Sequence, residues 1–261
     1  MNQPEIVRIS SVTVENNVIK TFSFPFPKKT LPGQFFMIWI PGVDEIPMSV
    51  SVIDEKTKAF TFKIVGDATD ALFHLKKGDT IGIRGPYGNG FTFKGRHHLF
   101  IGGGTGIAMI APAVEACLNR GDPVDVILGV KTKQELFFVK RMENSKAIVH
   151  LASDDGSIGS KGFASMFAEN LISEKQIETI YTCGPEQMMK SLVDLCRKHD
   201  ISLQASVERY MKCAVGICGQ CCIGEGLRVC VEGPVFTDDQ LVDIKDFGVF
   251  HRSASGEKIF L

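Results

Sequence analysis

Over roughly the first 95 residues, apolar and polar side chains alternate in short runs separated by proline and glycine. The run Phe60-Thr61-Phe62-Lys63 shows this alternation most clearly, as expected for a strand with one buried face. Short strands at this spacing predict an antiparallel barrel or sandwich. One helix-like piece interrupts them at residues 69–75, with Thr69 in the position of an N-cap. The predicted strands are residues 6–14, 18–24, 34–40, 48–53, 59–65 and 80–84.

The period changes from His97 onward, where apolar strands alternate with helical stretches. The clearest helix is residues 185–198, in which Met188, Met189 and Leu192 follow i, i+3 and i+4 spacing. Pro185 stands at its start, where a missing N–H costs nothing. Alternating strands and helices predict a doubly wound α/β domain with a parallel sheet. Its strands are predicted at residues 99–101, 124–128, 147–151, 179–182 and 203–207.

The composition is that of an ordinary globular protein of 261 residues, with 44% hydrophobic and 23% charged residues. The net charge of -1 favours neither nucleic acid nor an anionic membrane as a partner. The longest uncharged stretch in the middle of the chain, residues 97–114, is shorter than the about 20 apolar residues that a membrane span needs. No signal peptide is visible, so we expect a cytoplasmic protein whose cysteines are reduced.

Four of the eight cysteines cluster near the C-terminus, as Cys213, Cys218, Cys221 and Cys230. Their C-x4-C-x2-C…C spacing is that of plant-type [2Fe–2S] proteins. Small residues between them allow the backbone to close around a cluster and to turn N–H groups toward its sulfurs. A structural zinc site is the alternative, although two C-x2-C pairs would be expected for it. Three further cysteines are interpreted as packing or core residues, namely Cys117, Cys196 and Cys222.

Residues 102–106 form a glycine run, Gly-Gly-Gly-Thr-Gly, that follows a predicted strand and opens a helix. A helix N-terminus of this kind can bind a pyrophosphate. The run departs from the G-x-G-x-x-G/A fingerprint, and no acidic residue ends the next strand, so an ordinary Rossmann dehydrogenase is disfavoured. A tight turn with close packing is the alternative.

Taken together, the motifs resemble the ferredoxin-reductase-like flavoproteins. Their order is GDAT at 66–69, GPYGNGF at 85–91, GGGTG at 102–106, CGP at 183–185 and the cysteine cluster. The resemblance implies an FAD-binding β-barrel at 1–95, an NAD-binding α/β domain at 96–207 and a [2Fe–2S] module at 208–261. Within this family, the run from ERYMKC to GLRVCVEGPVF resembles the electron-transfer subunits of NAD-dependent (type B) dihydroorotate dehydrogenases.

The family's flavin motif R-P-x-S falls on residues 46–49, so the resemblance implies that Pro47, Met48 and Ser49 bind FAD. Ile46 stands where the family has an arginine that binds an FAD phosphate. We hypothesise that Lys63, on the following strand, supplies the missing charge. Further FAD-binding residues are expected beside Lys63 and at the start of the short helix, namely Phe62, Gly66, Ala68 and Thr69.

In the second domain, the resemblance implies that the glycine run holds NAD, through Gly103, Gly104, Thr105 and Gly106. Cys183 takes the catalytic position beside the nicotinamide, together with Gly184 and Pro185. A buried cysteine at a strand end is the alternative for Cys183. Asp154 would repel a 2′-phosphate, which predicts NAD rather than NADP, whereas a solvated acidic turn is the alternative there.

The resemblance also implies a partner, an FMN-containing catalytic subunit that oxidises dihydroorotate in pyrimidine biosynthesis. Electrons would pass through [2Fe–2S] and FAD to NAD⁺, in a heterotetramer of two copies of each subunit. The cluster loop is then expected near the partner, whereas the phenylalanines of the C-terminal tail are expected to pack mainly within the chain.

Two kinds of rival remain. One is the small subunit of another reductase, either a bifurcating ferredoxin–NADP oxidoreductase or a sulfide dehydrogenase. The bifurcating type has an aspartate as its first cluster ligand, and Cys213 stands at that position here. The other is a non-enzymatic binding module with structural zinc, which would be colourless.

Overall fold

A computed structural model describes residues 3–261. The N-terminal part forms one seven-stranded antiparallel sheet, with a short helix between its last two strands. The elements are β1 (Glu5–Arg8), β2 (Ser11–Val14), β3 (Ile19–Pro25), β4 (Phe35–Ile40), β5 (Asp44–Ile53), β6 (Thr57–Lys63), α1 (Asp67–His74) and β7 (Thr80–Tyr87).

This sheet closes into a barrel because of its strand order, β1-β7-β4-β5-β6-β3-β2. β1 and β2 lie at opposite ends of that order, yet only Ile9 and Ser10 separate them along the chain. The predicted single strand at 6–14 is therefore two short strands that join the two edges of the sheet. Phenylalanines from facing strands fill the interior, as in the edge-to-face pairs of Phe24 and Phe26 with Phe36. The barrel is confirmed over the sandwich.

The prediction of Thr69 as an N-cap is wrong by one turn of the helix. Gly66 is the N-cap of α1, and Thr69 is the third residue within the helix. The Thr69 Oγ1 accepts hydrogen bonds from the N–H groups of Val65 and Gly66, at 2.9 and 3.1 Å. The hydroxyl therefore binds back toward the start of the helix, as the third residue of a capping box does.

Strands and helices alternate in the middle of the chain. The elements are β8 (His98–Gly103), α2 (Gly106–Asn119), β9 (Val124–Val130), a 3₁₀ turn (Lys133–Glu135), α3 (Val139–Asn144), β10 (Ile148–Ser153), β11 (Ser160–Lys161), α4 (Ala164–Glu174), β12 (Thr179–Cys183), α5 (Glu186–His199) and β13 (Ser202–Ser206). All of these strands run parallel to their neighbours, which confirms the doubly wound prediction.

The remaining elements pack against this sheet and beside it. They are a hairpin of β14 (Cys222–Ile223) and β15 (Leu227–Arg228), then β16 (Val235–Thr237), α6 (Asp238–Leu241), and a hairpin of β17 (Phe250–Arg252) and β18 (Lys258–Phe260). β16 pairs antiparallel with β13, and it completes the sheet order β11-β10-β9-β8-β12-β13-β16. The limits 1–95, 96–207 and 208–261 stay a prediction, and β16 shows that the last segment is joined to the sheet of the second.

Strand order reverses between β8 and β12, since successive strands lie on opposite sides of β8. In open α/β sheets, ligands bind at the carboxyl ends of the strands beside such a reversal. The glycine run follows β8 and Cys183-Gly184-Pro185 follows β12, so both turns lie at this point. Within residues 3–261, no helix has both the length and the apolar character needed to cross a bilayer.

The C-terminal phenylalanines are divided between core and surface. Phe236 and Phe247 are fully buried, whereas Phe260 is 72% exposed. Packing within the chain therefore accounts for the first two, and the end of the tail presents an aromatic ring to solvent.

Candidate functional site

A cleft of about 1180 Å³ lies between the barrel and the parallel sheet. One wall comes from β5, β6 and the start of α1, and the other from the turns after β8, β9, β10, β12 and β13. Pockets for one small ligand usually have roughly 300–1000 Å³. The cleft therefore has room for more than one extended ligand.

Most of the predicted nucleotide-binding residues meet in this cleft. The residues that line it are Pro47, Met48, Ser49, Phe62, Lys63, Thr69, Gly103, Gly104, Thr105, Asp154, Gly184 and Pro185. Four other predicted residues are not among those that line the cleft, namely Gly66, Ala68, Gly106 and Cys183.

The turns after β8 and β12 touch each other through glycine. A Cβ placed on Gly106 would lie 2.1 Å from the carbonyl oxygen of Cys183. A Cβ on Gly184 would lie 2.9 Å from the Cα of Gly103, and Gly184 has a φ of 152°. Close packing of the two turns therefore requires glycine at positions 106 and 184. This packing was the alternative to phosphate binding. Gly103 and Gly104 line the cleft, so the same glycine run can also bind a phosphate.

Cys183 is buried under the floor of the cleft, with 1% of its surface exposed. Burial raises the pKa of its thiol well above the usual value, and the nearby Glu208 adds to this effect. The side chain is therefore a neutral thiol at pH 7. It can shape this part of the cleft, but it does not offer a thiolate there.

Sequence reasoning missed the residues that follow β13. Ser206, Glu208 and Tyr210 all line the cleft, as does Met211. Desolvation within the cleft raises the pKa of Glu208, and the charge of Glu186 raises it further. The sequence did contain one signal for these residues: they follow the carboxyl end of a predicted parallel strand. Side chains at that end of an α/β sheet face the crevice where ligands bind.

Lys63 is already paired within the structure. Its Nζ lies 3.0 Å from Oε1 of Glu135, and both residues line the cleft. Burial acts to raise the pKa of Glu135, but the hydrogen bond and charge of Lys63 outweigh it and lower the pKa. Glu135 follows β9, so the pair joins the barrel to the α/β domain.

The loop of residues 213–221, here called the cysteine loop, turns its backbone N–H groups toward sulfur. Ala214, Gly216 and Gly219 have φ of 59°, 76° and 70°. Left-handed residues in a loop can turn neighbouring N–H groups inward and so form a concave nest for an anion. The N–H of Cys218 points at Sγ of Cys213, 3.5 Å away. Burial opposes ionisation, but the N–H groups of Cys218 and Val215 lower the pKa of Cys213 to about 6.

The β14–β15 hairpin carries the fourth cysteine back to the third. Its eight residues, 222–229, lie between Cys221 and Cys230, and the N–H of Val229 donates to the carbonyl of Cys221 at 3.2 Å. The pKa of Cys230 is raised to about 12, mainly by burial and to a smaller extent by contact with Cys221. The short gap in the sequence is thus explained by a hairpin. The Sγ of Cys222 lies 3.9 Å from the carbonyl oxygen of Gly226, at the other end of the hairpin.

Comparison with known proteins identifies both regions. Residues 208–242 match the family described as the iron–sulfur cluster binding domain of dihydroorotate dehydrogenase B. Residues 100–194 match the oxidoreductase NAD-binding domain. A probable dihydroorotate dehydrogenase B (NAD(+)), electron transfer subunit, from Methanocaldococcus jannaschii is 44% identical over 261 residues, covering 100% of both chains. A protein of the same name from Methanothermobacter thermautotrophicus is 42% identical and covers 99% of this chain and 98% of its own.

This chain belongs to the family of dihydroorotate dehydrogenase B electron transfer subunits. It is therefore an oxidoreductase subunit, and the zinc-binding module without enzymatic function is excluded. Cys117 and Cys196 are fully buried on α2 and α5, as predicted for core residues.

Solved structures agree with this assignment. The structure of an NADH-dependent reduced ferredoxin–NADP oxidoreductase is 26% identical, with a TM-score of 0.83 over 94% of this chain and 91% of its own. Phthalate dioxygenase reductase shares the fold at a TM-score of 0.63 and 16% identity, over 74% of this chain and 64% of its own. FAD, [2Fe–2S] and NAD are the cofactors that the family and the fold support.

The cysteine geometry in this chain fits a dinuclear cluster better than zinc. One tetrahedral zinc with Zn–S bonds of about 2.3 Å would hold four sulfurs about 3.8 Å apart. Within residues 3–261, no three of these cysteine sulfurs lie within 4.8 Å of one another. Two iron atoms separate their ligands into pairs, and the thiols also meet in two pairs, Cys213 with Cys218 and Cys221 with Cys230.

A different group of three metal-ligating side chains, His98, Cys117 and Asp122, does lie within 4.8 Å. It is at the amino end of β8, on the far side of the sheet from the cleft. Arg120 already pairs with Asp122 at 3.1 Å, and burial raises the pKa of Cys117 to about 12. The carboxylate is thus neutralised and the thiol protonated, so these are core contacts.

Proposed function

We propose that this subunit carries electrons from dihydroorotate, oxidised on an FMN-containing partner, to NAD⁺ during pyrimidine biosynthesis. Cys213, Cys218, Cys221 and Cys230 hold the [2Fe–2S] cluster, and the cleft holds FAD and NAD. A cluster exchanges single electrons, a flavin one or two, and nicotinamide a hydride, so these three groups together connect the two substrates.

The observation that carries this proposal is the short distance along the chain between cleft and cluster site. Tyr210 and Met211 line the cleft, and Cys213 follows Met211 by two residues. Two residues span at most about 7 Å between Cα atoms. The cysteine loop is therefore attached directly to the wall of the cleft.

The residues of this chain then bind and shield the reacting groups. Pro47, Met48 and Ser49 shape the barrel side of the cleft. On the opposite side, Glu208 and Ser206 lie beside the buried Cys183, where the turn after β12 receives the nicotinamide.

The surface around the cysteine loop supports a partner subunit. Ile217 is 84% exposed, and Val215 and Val231 are also exposed. Exposed apolar side chains grouped in this way are typical of an interaction surface. We propose that the FMN subunit covers them, in a cytoplasmic heterotetramer of two copies of each chain.

The test uses the tagged chain, purified without oxygen from its own cells together with its partner. Adding dihydroorotate is expected to bleach the flavin and cluster absorption, and NAD⁺ is expected to restore it. Orotate, the oxidised product, serves as the control and should leave the spectrum unchanged. Bands that ignore dihydroorotate in the verified complex but bleach with NADH would contradict the proposal and favour another NAD(P)H-linked reductase.

Replacing Lys63 by alanine is expected to weaken FAD binding by about tenfold, because one charge-assisted hydrogen bond to a phosphate is lost. The measurement is FAD retained after gel filtration, followed by titration of the apoprotein. Lys20→Ala is the matched control, since Lys20 lies opposite Phe62 on the neighbouring strand and its ammonium donates to the carbonyl of Phe73. Unchanged retention in Lys63→Ala would show that Lys63 serves only its pair with Glu135.

Replacing Asp154 by asparagine is expected to raise the ratio of kcat/KM for NADPH to that for NADH by about tenfold, since a like-charge contact with the 2′-phosphate is removed. Steady-state rates with both nucleotides give this ratio. Asp155→Asn is the control, because the Asp155 carboxylate accepts from the N–H of Ser157 at 2.9 Å and faces solvent. A wild-type preference for NADPH, or an equal change in both variants, would refute the role of Asp154.

A further inference from the structure

Arg84 makes an unusual set of contacts between the barrel and the cysteine loop. It is on β7 and only 8% exposed. Its Nε and Nη2 donate to the two carboxylate oxygens of Glu45, at 2.7 and 2.5 Å. Its Nη1 donates to the hydroxyl of Tyr87 at 3.1 Å. The guanidinium is therefore fixed in the barrel by a bidentate ion pair and a third hydrogen bond.

The remaining donors of Arg84 reach the chain that enters the cysteine loop. Nη1 lies 3.3 Å from the carbonyl oxygen of Cys213, and Nη2 lies 3.5 Å from that of Lys212. A guanidinium has five N–H donors in a rigid plane, and here each has an acceptor. The contacts cross more than 120 residues of sequence, so they join parts of the fold that the chain does not connect locally.

We propose that Arg84 is a positioning residue that clamps the first cluster ligand, Cys213, to the flavin barrel. This inference rests on the proposed role of the four cysteines. The clamped carbonyls belong to the segment that leads from the cleft-lining Met211 to Cys213. Glu45 lies two residues before Pro47 on β5, so the same ion pair is anchored on the strand that forms the flavin side of the cleft. Arg84 thus sets the cluster site at a fixed place relative to the flavin site.

Arginine suits this position better than lysine. A lysine ammonium has three donors on a compact head and cannot contact Glu45, Tyr87 and two carbonyls in one plane. Arg84→Lys therefore keeps the positive charge but removes the clamp, which separates geometry from electrostatics. Arg84→Gln removes both.

The chain offers a matched control in Arg141. This residue also forms a bidentate pair, with Glu115 at 2.7 and 2.9 Å, and donates to a backbone carbonyl, that of Ser51 at 2.8 Å. It joins α3 to the barrel, away from the cysteine loop. Arg141→Lys therefore shows how much the loss of a bidentate arginine pair changes amide exchange when the pair has no contact with the cluster site.

The first readout is hydrogen exchange in the loaded protein. In Arg84→Lys and Arg84→Gln, the amides of residues 214–218 are expected to exchange about tenfold faster, the effect of one lost charge-assisted hydrogen bond. Arg141→Lys should leave these amides at the wild-type rate. Wild-type exchange at residues 214–218 in both Arg84 variants would overturn the proposal. If Arg84→Gln does not fold, Arg84→Lys and Glu45→Gln give the same test.

The second readout separates electron transfer from nicotinamide binding. After rapid mixing with NADH, bleaching of the flavin should proceed at the wild-type rate in Arg84→Lys, while reduction of the cluster slows by about tenfold. Wild-type cluster reduction in Arg84→Lys, with slowing only in Arg84→Gln, would assign the effect to charge and overturn the clamp. A wild-type protein without [2Fe–2S] absorption would instead contradict the proposed function, and the exchange of residues 214–218 would still report on Arg84.

Discussion

Replacing Cys230 by serine is expected to abolish the [2Fe–2S] cluster, while the FAD absorption remains. Cys230 is 2% exposed and is held beside Cys221 by the β14–β15 hairpin, so no other thiol can take its place without refolding the hairpin. A serine hydroxyl is a poor ligand for iron in a cluster, which selects soft thiolates. The measurement is iron and acid-labile sulfide per chain, together with the visible spectrum.

Cys222→Ser is the control for this prediction. Cys222 is adjacent to Cys221 in the sequence, but its Sγ faces the carbonyl of Gly226 within the hairpin. The variant should therefore keep its full iron content and spectrum. If instead Cys222→Ser loses the cluster and Cys230→Ser keeps it, the fourth ligand is Cys222, and the hairpin must rearrange when the cluster is bound.

The iron–sulfur region and the order of barrel, α/β domain and cysteine-rich segment could be predicted because their signals are local. The spacing of Cys213, Cys218 and Cys221 is visible within nine residues of sequence. Hydrophobic periodicity distinguished the barrel from the α/β domain for the same reason. The glycine run and the turn after β12 were found by their motifs, and the structure adds that they pack on each other.

The contacts that the sequence did not predict join distant segments of the chain. Lys63 and Glu135 lie 72 residues apart and on different domains, so no local pattern shows that they pair. Arg84 contacts Cys213 over 129 residues. Glu208 and Tyr210 have no motif of their own, and only the placement of β13 in the sheet brings them into the cleft.

The error at Thr69 has a different cause. A threonine hydroxyl can accept backbone N–H groups both as an N-cap and as the third residue of a helix. The sequence alone does not distinguish these positions when the true cap, Gly66, has no side chain. The N-cap was therefore predicted three residues late, at Thr69 rather than Gly66.

Replacing Gly106 by alanine is expected to lower the free energy of unfolding by about 3 kcal/mol, at the upper end of the cost of overpacking a core. The new methyl group would lie 2.1 Å from the carbonyl oxygen and 2.4 Å from the carbonyl carbon of Cys183. Both atoms are backbone, so α2 must move away from β12, and no side-chain rotation can relieve the contact. Because Gly103–Thr105 and Gly184–Pro185 line the cleft on either side of this contact, NAD binding should weaken as well.

Denaturant unfolding of the apoprotein measures the first effect, and titration of the FAD-loaded protein with NAD⁺ measures the second. Gly66→Ala is the control for stability, because Gly66 has an extended φ of -178° and no atom lies within 4 Å of the place that its new methyl group would take. Its unfolding free energy should stay within about 1 kcal/mol of the wild type, because alanine is a poorer N-cap than glycine but also lowers the entropy of the unfolded chain. If Gly106→Ala unfolds like Gly66→Ala, the turns after β8 and β12 are not in contact in solution. The glycine at 106 would then be explained by the nucleotide alone, since close approach of a pyrophosphate to the helix N-terminus also requires a residue without a side chain.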